Sequence, residues 1–109
     1  MVTATIRMTI PRKKRDEALK ILRSMAVQCE VHPGFLGSHI YEDVQEDNVL
    51  MFEEMWRNEE DLEQHLRSEK YRDVLLVMEM ALKHPEVRFS TVSTSAGIET
   101  IEKIRSSTR

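Results

Sequence analysis

Asn48 to Trp56 constrains the fold more than any other stretch, because it reads as a strand that is apolar on both faces. Val49, Met51 and Met55 alternate with Leu50, Phe52 and Trp56, so each face needs its own cover. The chain then runs directly into a helix start. Asn58 can cap the first turn, and Glu59, Glu60 and Asp61 follow where negative charge is favoured. Trp56 and His65 therefore flank a strand-to-helix junction.

The rest of the chain supplies one of the two covers. Val2, Ala4, Ile6, Met8 and Ile10 alternate with Thr3, Thr5, Arg7 and Thr9, the period-two pattern of a half-buried strand. After Pro11, the spacing of Ala18, Leu19, Leu22, Met25, Ala26 and Cys29 predicts a long amphipathic helix ended by His32-Pro33-Gly34. Phe35 to Glu42 reads as a second strand, antiparallel to the third across the polar connection 43–47. Ser68 can cap a further helix carrying Tyr71, Val74, Leu75, Met78 and Leu82, closed by His84-Pro85, and Val87, Phe89 and Thr91 form the inward face of a last strand. This order predicts an α+β chain with the ferredoxin-like split βαβ arrangement: an antiparallel four-stranded sheet with helices on one face. The other face is expected to pack on a second copy, giving a homodimer through the open sheet face.

A length of 109 residues suits one domain with a modest core, expected over residues 1–95, and residues 96–109 form a tail. Ile98, Ile101 and Ile104 predict a short helix there, fraying after Arg105. A net charge of −3 argues against a nucleic-acid partner, despite the local run Arg12, Lys13, Lys14 and Arg15. That run is either a solvated first turn or a small anion site. The single cysteine, Cys29, rules out an intrachain disulfide framework and reads as a small core residue. No apolar run is long enough to cross a bilayer, and a cytoplasmic location is expected.

Three stretches bring the chain close to a known family. These are His32-Pro33-Gly34-Phe35 before the second strand, the Glu54-x-Trp56 pair ending the third, and the run from Asn58 through His65 to Ser68 before Tyr71. In these the chain resembles the antibiotic biosynthesis monooxygenase (ABM) family of dimeric α+β barrels over roughly residues 1–95. The resemblance implies a ferredoxin-like fold and a dimer. It leaves the activity open, because the family holds cofactor-free oxygenases acting on phenols or quinols, haem-degrading enzymes, sugar-phosphate isomerases and proteins without assigned activity. The haem-degrading branch uses an asparagine on the first strand, where this chain offers Thr3, Thr5, Arg7 and Thr9. Haem degradation is accordingly disfavoured, and no cofactor is expected.

Within that frame His65 is the candidate catalytic residue. It shares a helix face with Leu62 and Leu66, and imidazole is the side chain that ordinarily titrates near neutral pH. The alternative is a satisfied histidine packed beneath the sheet. Trp56 and Phe52 can stack on a flat substrate or fill core volume. Glu54 shares their face and, as a carboxylate among aromatic rings, needs a partner, Arg7 being one choice. Tyr41 and His39 share a face of the second strand with Phe35 and Gly37, where Tyr41 can line the same cavity. His32 and His84 are explained as helix-end residues before prolines. The four histidines are too dispersed to announce a metal site, so no metal ligand is assigned. Met51, Met55, Met78 and Met80 suit either an adaptable cavity lining or core filling. The three glycines form no phosphate loop.

The expectation is a cofactor-independent monooxygenase that oxidises a small electron-rich aromatic with dioxygen in an apolar pocket. His65 is its base, Trp56 and Phe52 hold the ring, and Tyr41 or Arg7 orients the oxygens. A non-catalytic module that binds a small ligand, or is purely structural, is the alternative. An isomerase acting on a phosphorylated sugar would need a more basic pocket than Arg7 alone provides.

Overall fold

The computed structural model describes residues 1–107. Strand β1 spans Val2–Thr9 and, after a 3-10 turn at Arg12–Lys14, leads into helix α1, Arg15–Cys29. Strands β2, Phe35–Glu42, and β3, Val49–Trp56, form a hairpin, followed by α2, Glu59–Arg67. A 3-10 turn at Glu69–Tyr71 joins α2 to α3, Arg72–Glu79, and the chain then makes β4, Glu86–Thr91, and α4, Ile98–Arg105. The four strands form one antiparallel sheet in the order β2-β3-β1-β4. The predicted split βαβ topology is the observed one, and the sheet is open.

Burial along β1 alternates without exception from Val2 to Thr9, so one face of the sheet is covered and the other is not. Val2, Ala4, Ile6 and Met8 meet Ala18, Leu22, Met25 and Cys29 of α1, together with Leu62, Val74 and Val77 from the later helices. Each fully buried side chain of Leu22 or Met25 size stabilises the fold by about 1.5–3 kcal/mol. On β3, Leu50, Phe52, Glu54 and Trp56 point under the helices, while Met51, Glu53 and Met55 are only partly buried on the open face. That face is thus more polar than the sequence pattern suggested, with Glu53 between the methionines and the threonines of β1 alongside.

Two local features differ from the sequence expectation. The predicted helix through Leu82 ends at Glu79; its buried residues are Val74 and Val77, while Leu75 and Leu82 are exposed. The Leu82 amide instead donates to the Thr9 carbonyl at 2.9 Å, which returns the chain to the sheet. Ser68 does not cap the following turn by its side chain; its hydroxyl donates to the His65 carbonyl at 2.7 Å and closes α2. Helix α4 follows Gly97, and the chain leaves helical geometry after Arg105 as far as Ser107; Thr108 and Arg109 lie outside the described residues.

Candidate active site

Two elements bring His65 and Trp56 together. Asn58 caps α2 by accepting the Asp61 amide at 2.9 Å, and three acidic residues in the first turn complement the helix dipole. The cap fixes where α2 begins, and therefore which side of it His65 occupies. Seven residues after the cap, the imidazole turns inward with Leu62. The α1–β2 turn holds the junction from beside it: Gly34 takes φ +80°, and its carbonyl accepts the Arg57 amide at 2.8 Å. Gly34 also lies against Asp61, close enough that an added Cβ would stand 2.7 Å from the aspartate Cβ.

The resulting cluster is closed. Trp56, His65 and Glu54 have relative exposures of 0%, 1% and 2%. The indole stacks on the imidazole with centroids 4.7 Å apart and planes at 29°. Tyr71 meets the imidazole edge-on at 5.2 Å and His32 does so at 6.1 Å. Phe35 packs edge-on against Trp56 at 5.4 Å. Instead of an apolar pocket between sheet and helices, the side chains themselves fill the space beside these rings.

Hydrogen bonding orders the polar atoms. His65 Nε2 lies 3.0 Å from Glu54 Oε2 and 3.2 Å from Oε1. Opposite a carboxylate, which can only accept, Nε2 is the nitrogen that donates, and Nδ1 points the other way. Nδ1 faces the Cys29 thiol, whose sulfur is 3.8 Å away and also 3.8 Å from Glu54 Oε2. Burial and then the nearby Glu54 charge push the Cys29 thiol up to about 12, so it is a neutral neighbour and no nucleophile. The same two causes push Tyr71 up to about 12. Trp56 Nε1 is buried with no hydrogen-bond partner among the described residues. A buried unpaired donor costs about 1–3 kcal/mol, so it calls for a reason.

Cys29, Glu54 and His65 place one donor atom each within 4.8 Å of one another, a set of ligand types that zinc accepts. The imidazole, however, turns Nε2 to Glu54 and Nδ1 to Cys29. One ion cannot use both contacts unless the ring rotates, and the thiol would have to be deprotonated. The ring contacts therefore pair the imidazole with the carboxylate and do not form a preformed metal centre.

The sequence-predicted residues divide between the two faces. His65, Glu54, Trp56 and Phe52 are together under the helices. Arg7 and Tyr41 are on the open face and do not reach them, because Arg7 pairs in register with Met51, and Tyr41 does so from the other side. Glu54 accordingly pairs with His65, not Arg7. Arg7 bonds Glu46 at 2.5 Å and Asp43 at 3.1 Å, with Glu86 at 3.8 Å, and these carboxylates hold its guanidinium above its ordinary range. Tyr41 donates to Glu53 at 3.2 Å; burial first, then the Glu53 charge, raises its phenol. A bulge between Phe35 and Gly37 turns Phe35 to the helix side, away from the face of His39 and Tyr41. Sequence reasoning missed Cys29, Tyr71 and His32 as neighbours of the imidazole. Only the inward position of Cys29 at the end of the α1 stripe hinted at this.

An open antiparallel four-stranded split βαβ sheet, covered by helices on one face, makes this a ferredoxin-like α+β domain. The sequence profile of antibiotic biosynthesis monooxygenase matches residues 1–75, and the chain belongs to that family. Among solved structures, the chain is similar to Rv0793 from Mycobacterium tuberculosis, with TM-score 0.77 and 20% identity over 88% of this chain and 98% of that one. It is similar to a conserved protein from Methanosarcina mazei Go1, with TM-score 0.75 and 20% identity over 82% and 89% of the two chains. It is also similar to a point-mutant form of SnoaB, a cofactor-independent oxygenase from Streptomyces nogalater, with TM-score 0.74 and 16% identity over 86% and 94%. At these identities the likeness establishes the fold. No curated protein sequence matches the chain. No helix among the described residues is long and apolar enough to cross a membrane.

Proposed function

We propose that this protein is a cofactor-independent monooxygenase that oxidises a small electron-rich aromatic, a quinol or phenol, with dioxygen. The observation that carries the reading is the buried Trp56 N–H, without an acceptor among the described residues, beside an imidazole oriented by Glu54. An indole N–H donates only, so the group that answers it is an oxygen such as that of a phenolate. Family membership and the printed activity of SnoaB agree with this chemistry.

In this mechanism His65 Nδ1 takes the phenolic proton, Glu54 stabilises the imidazolium, and Trp56 Nε1 holds the phenolate oxygen. The electron-rich anion then reduces dioxygen. For a quinol, one oxygen atom bonds to a ring carbon and the other leaves as water, giving a hydroxyquinone with all electrons supplied by the substrate. Phe52 supports the indole from within the sheet. Since Tyr71 and Cys29 shield the imidazole, the segment from Ser68 to Tyr71 has to move and the thiol has to turn aside before substrate binds. The protein acts as a homodimer joined through the open sheet face, where Arg7 and Tyr41 belong to the subunit contact, and it works in the cytoplasm.

Oxygen consumption by chelator-treated protein with a panel of quinols tests this. Turnover that His65→Ala abolishes is expected. No turnover on any quinol, or turnover that His65→Ala leaves unchanged, overturns it.

The enclosure of the pair favours a second reading, in which the pair is a satisfied polar element of a non-catalytic, ligand-binding or structural module. Native mass spectrometry separates the two when a bound small molecule is retained without conversion under oxygen.

A further inference from the structure

A cleft on the helix side of the sheet joins an apolar lining to charges of a single sign. It lies between α2 and the edge strand β4 and encloses about 250 Å³. Val2, Leu62, Leu66 and Phe89 line it, with the exposed carboxylates of Glu59 and Glu63 beside them. Val2 and Leu62 are buried, whereas Phe89 is 51% exposed.

The two glutamates stand one helical turn apart, a spacing at which like charges repel. Glu59 is in the first turn of α2, where the helix dipole favours a negative charge; Glu63 lies beyond that turn and lacks this support. Neither makes an ion pair among the described residues. The nearby arginines are placed elsewhere. Arg57 is bonded to Asp61 at 2.8 Å, and Arg88 is opposite Thr5 on the open face of the sheet. Arg67, one turn beyond Glu63, is exposed and does not line the cleft. A hydrated inorganic cation here would leave the apolar lining uncovered, and a neutral hydrocarbon would leave the charges unanswered. A cation joined to an apolar body meets both, and the face of a phenyl ring attracts cations.

We propose that this cleft binds a small organic ammonium ion, an arylalkylamine in its protonated form. The ring of the ligand covers Val2, Leu62 and Leu66, and its ammonium group lies between Glu59 and Glu63 against Phe89. At about 250 Å³ the cleft is smaller than the roughly 300–1,000 Å³ of pockets for drug-sized ligands, so one ring with a short arm fills it. The site adjoins the Trp56 cluster without joining it: Val2 is the cross-strand neighbour of Trp56, and Leu62 is one turn from His65. Binding there does not depend on the proposed oxidation.

Titration of the isotopically labelled full-length protein with phenethylammonium chloride, followed by NMR, tests the proposal. Phenethyl alcohol, neutral and of the same shape, is the comparison ligand. The expected result is saturable shifts of the Val2, Leu62 and Leu66 methyl signals, with a Kd below about 10 mM for the amine and about tenfold higher for the alcohol. Glu59→Gln and Glu63→Gln should each weaken amine binding about threefold, and the double variant about tenfold. Phe89→Leu keeps an apolar side chain but removes the ring face, so it should weaken the amine about threefold and leave the alcohol unchanged. Three results overturn the proposal: equal affinity for amine and alcohol, which means an apolar cleft without charge selection; amine binding unchanged in the double glutamine variant; or no saturable shift of these methyls, which means that another part of the assembly fills the cleft. No quinol is present in these titrations, so this proposal and the oxidation fail separately.

Discussion

Removing His65 while keeping Glu54 is the most direct test of the buried pair. In His65→Leu the carboxylate, 2% exposed in the fold, loses the only nitrogen donor placed against it among the described residues and retains a thiol at 3.8 Å. Stranding a buried charge costs about 3–5 kcal/mol. The reverse variant, Glu54→Leu, strands an imidazole N–H and costs about 1–3 kcal/mol. Replacing both with leucine removes the need for pairing, so the double variant is expected within about 1 kcal/mol of the parent. The cycle then gives a coupling of at least about 2 kcal/mol. Urea unfolding read by the fluorescence of Trp56, which stacks on the imidazole, measures all four proteins, and His65→Leu is expected to lower Tm by about 12 °C or more. A His65→Leu cost below about 1 kcal/mol, or a double variant equal to the sum of the singles, refutes the view that Glu54 and His65 form one buried unit.

Three further outcomes follow from other parts of the same junction. Asn58→Ala removes the α2 cap and should cost about 1 kcal/mol in urea unfolding. Gly34→Ala combines a positive φ with a clash against Asp61 and should cost more than about 1 kcal/mol; a Tm unchanged from the parent would contradict the geometry of that turn. Burial pushes the Cys29 thiol from an ordinary 9.0 up to about 12. Between those values the folded chain keeps a proton that the unfolded chain has released. This contribution is full below pH 9 and is lost as pH rises toward 12, at up to about 1.4 kcal/mol per pH unit. Tyr71, raised from 10.0 to about 12 by burial, adds in the same sense at the upper end. Cys29→Ala should flatten the lower part of this decline in stability measured from pH 8 to 11, and the native thiol should resist disulfide reagents at pH 8.

Periodicity, read together with cap and breaker residues, determined the strand and helix order: alternation in β1 and the three- and four-residue spacing in α1 each admit a single element type, and Asn58, Pro33-Gly34 and Pro85 mark where elements start and stop. It also placed Trp56, Phe52, Glu54 and His65 under the helices, since strand parity and the Asn58 cap fix which way each points. Local signals carried no information on partners across the fold. Arg7 and Glu54 both looked like candidates for pairing, yet the β1–β3 register put them on opposite faces, and α2 delivered His65 to the carboxylate instead. The bulge at Phe35 reversed that ring's face, and the approach of α1 set Cys29 against the imidazole from 36 residues away. Whether the space beside the indole is open or filled depends on how closely three helices pack on one sheet, and that is a property of the folded chain and not of any stretch of it.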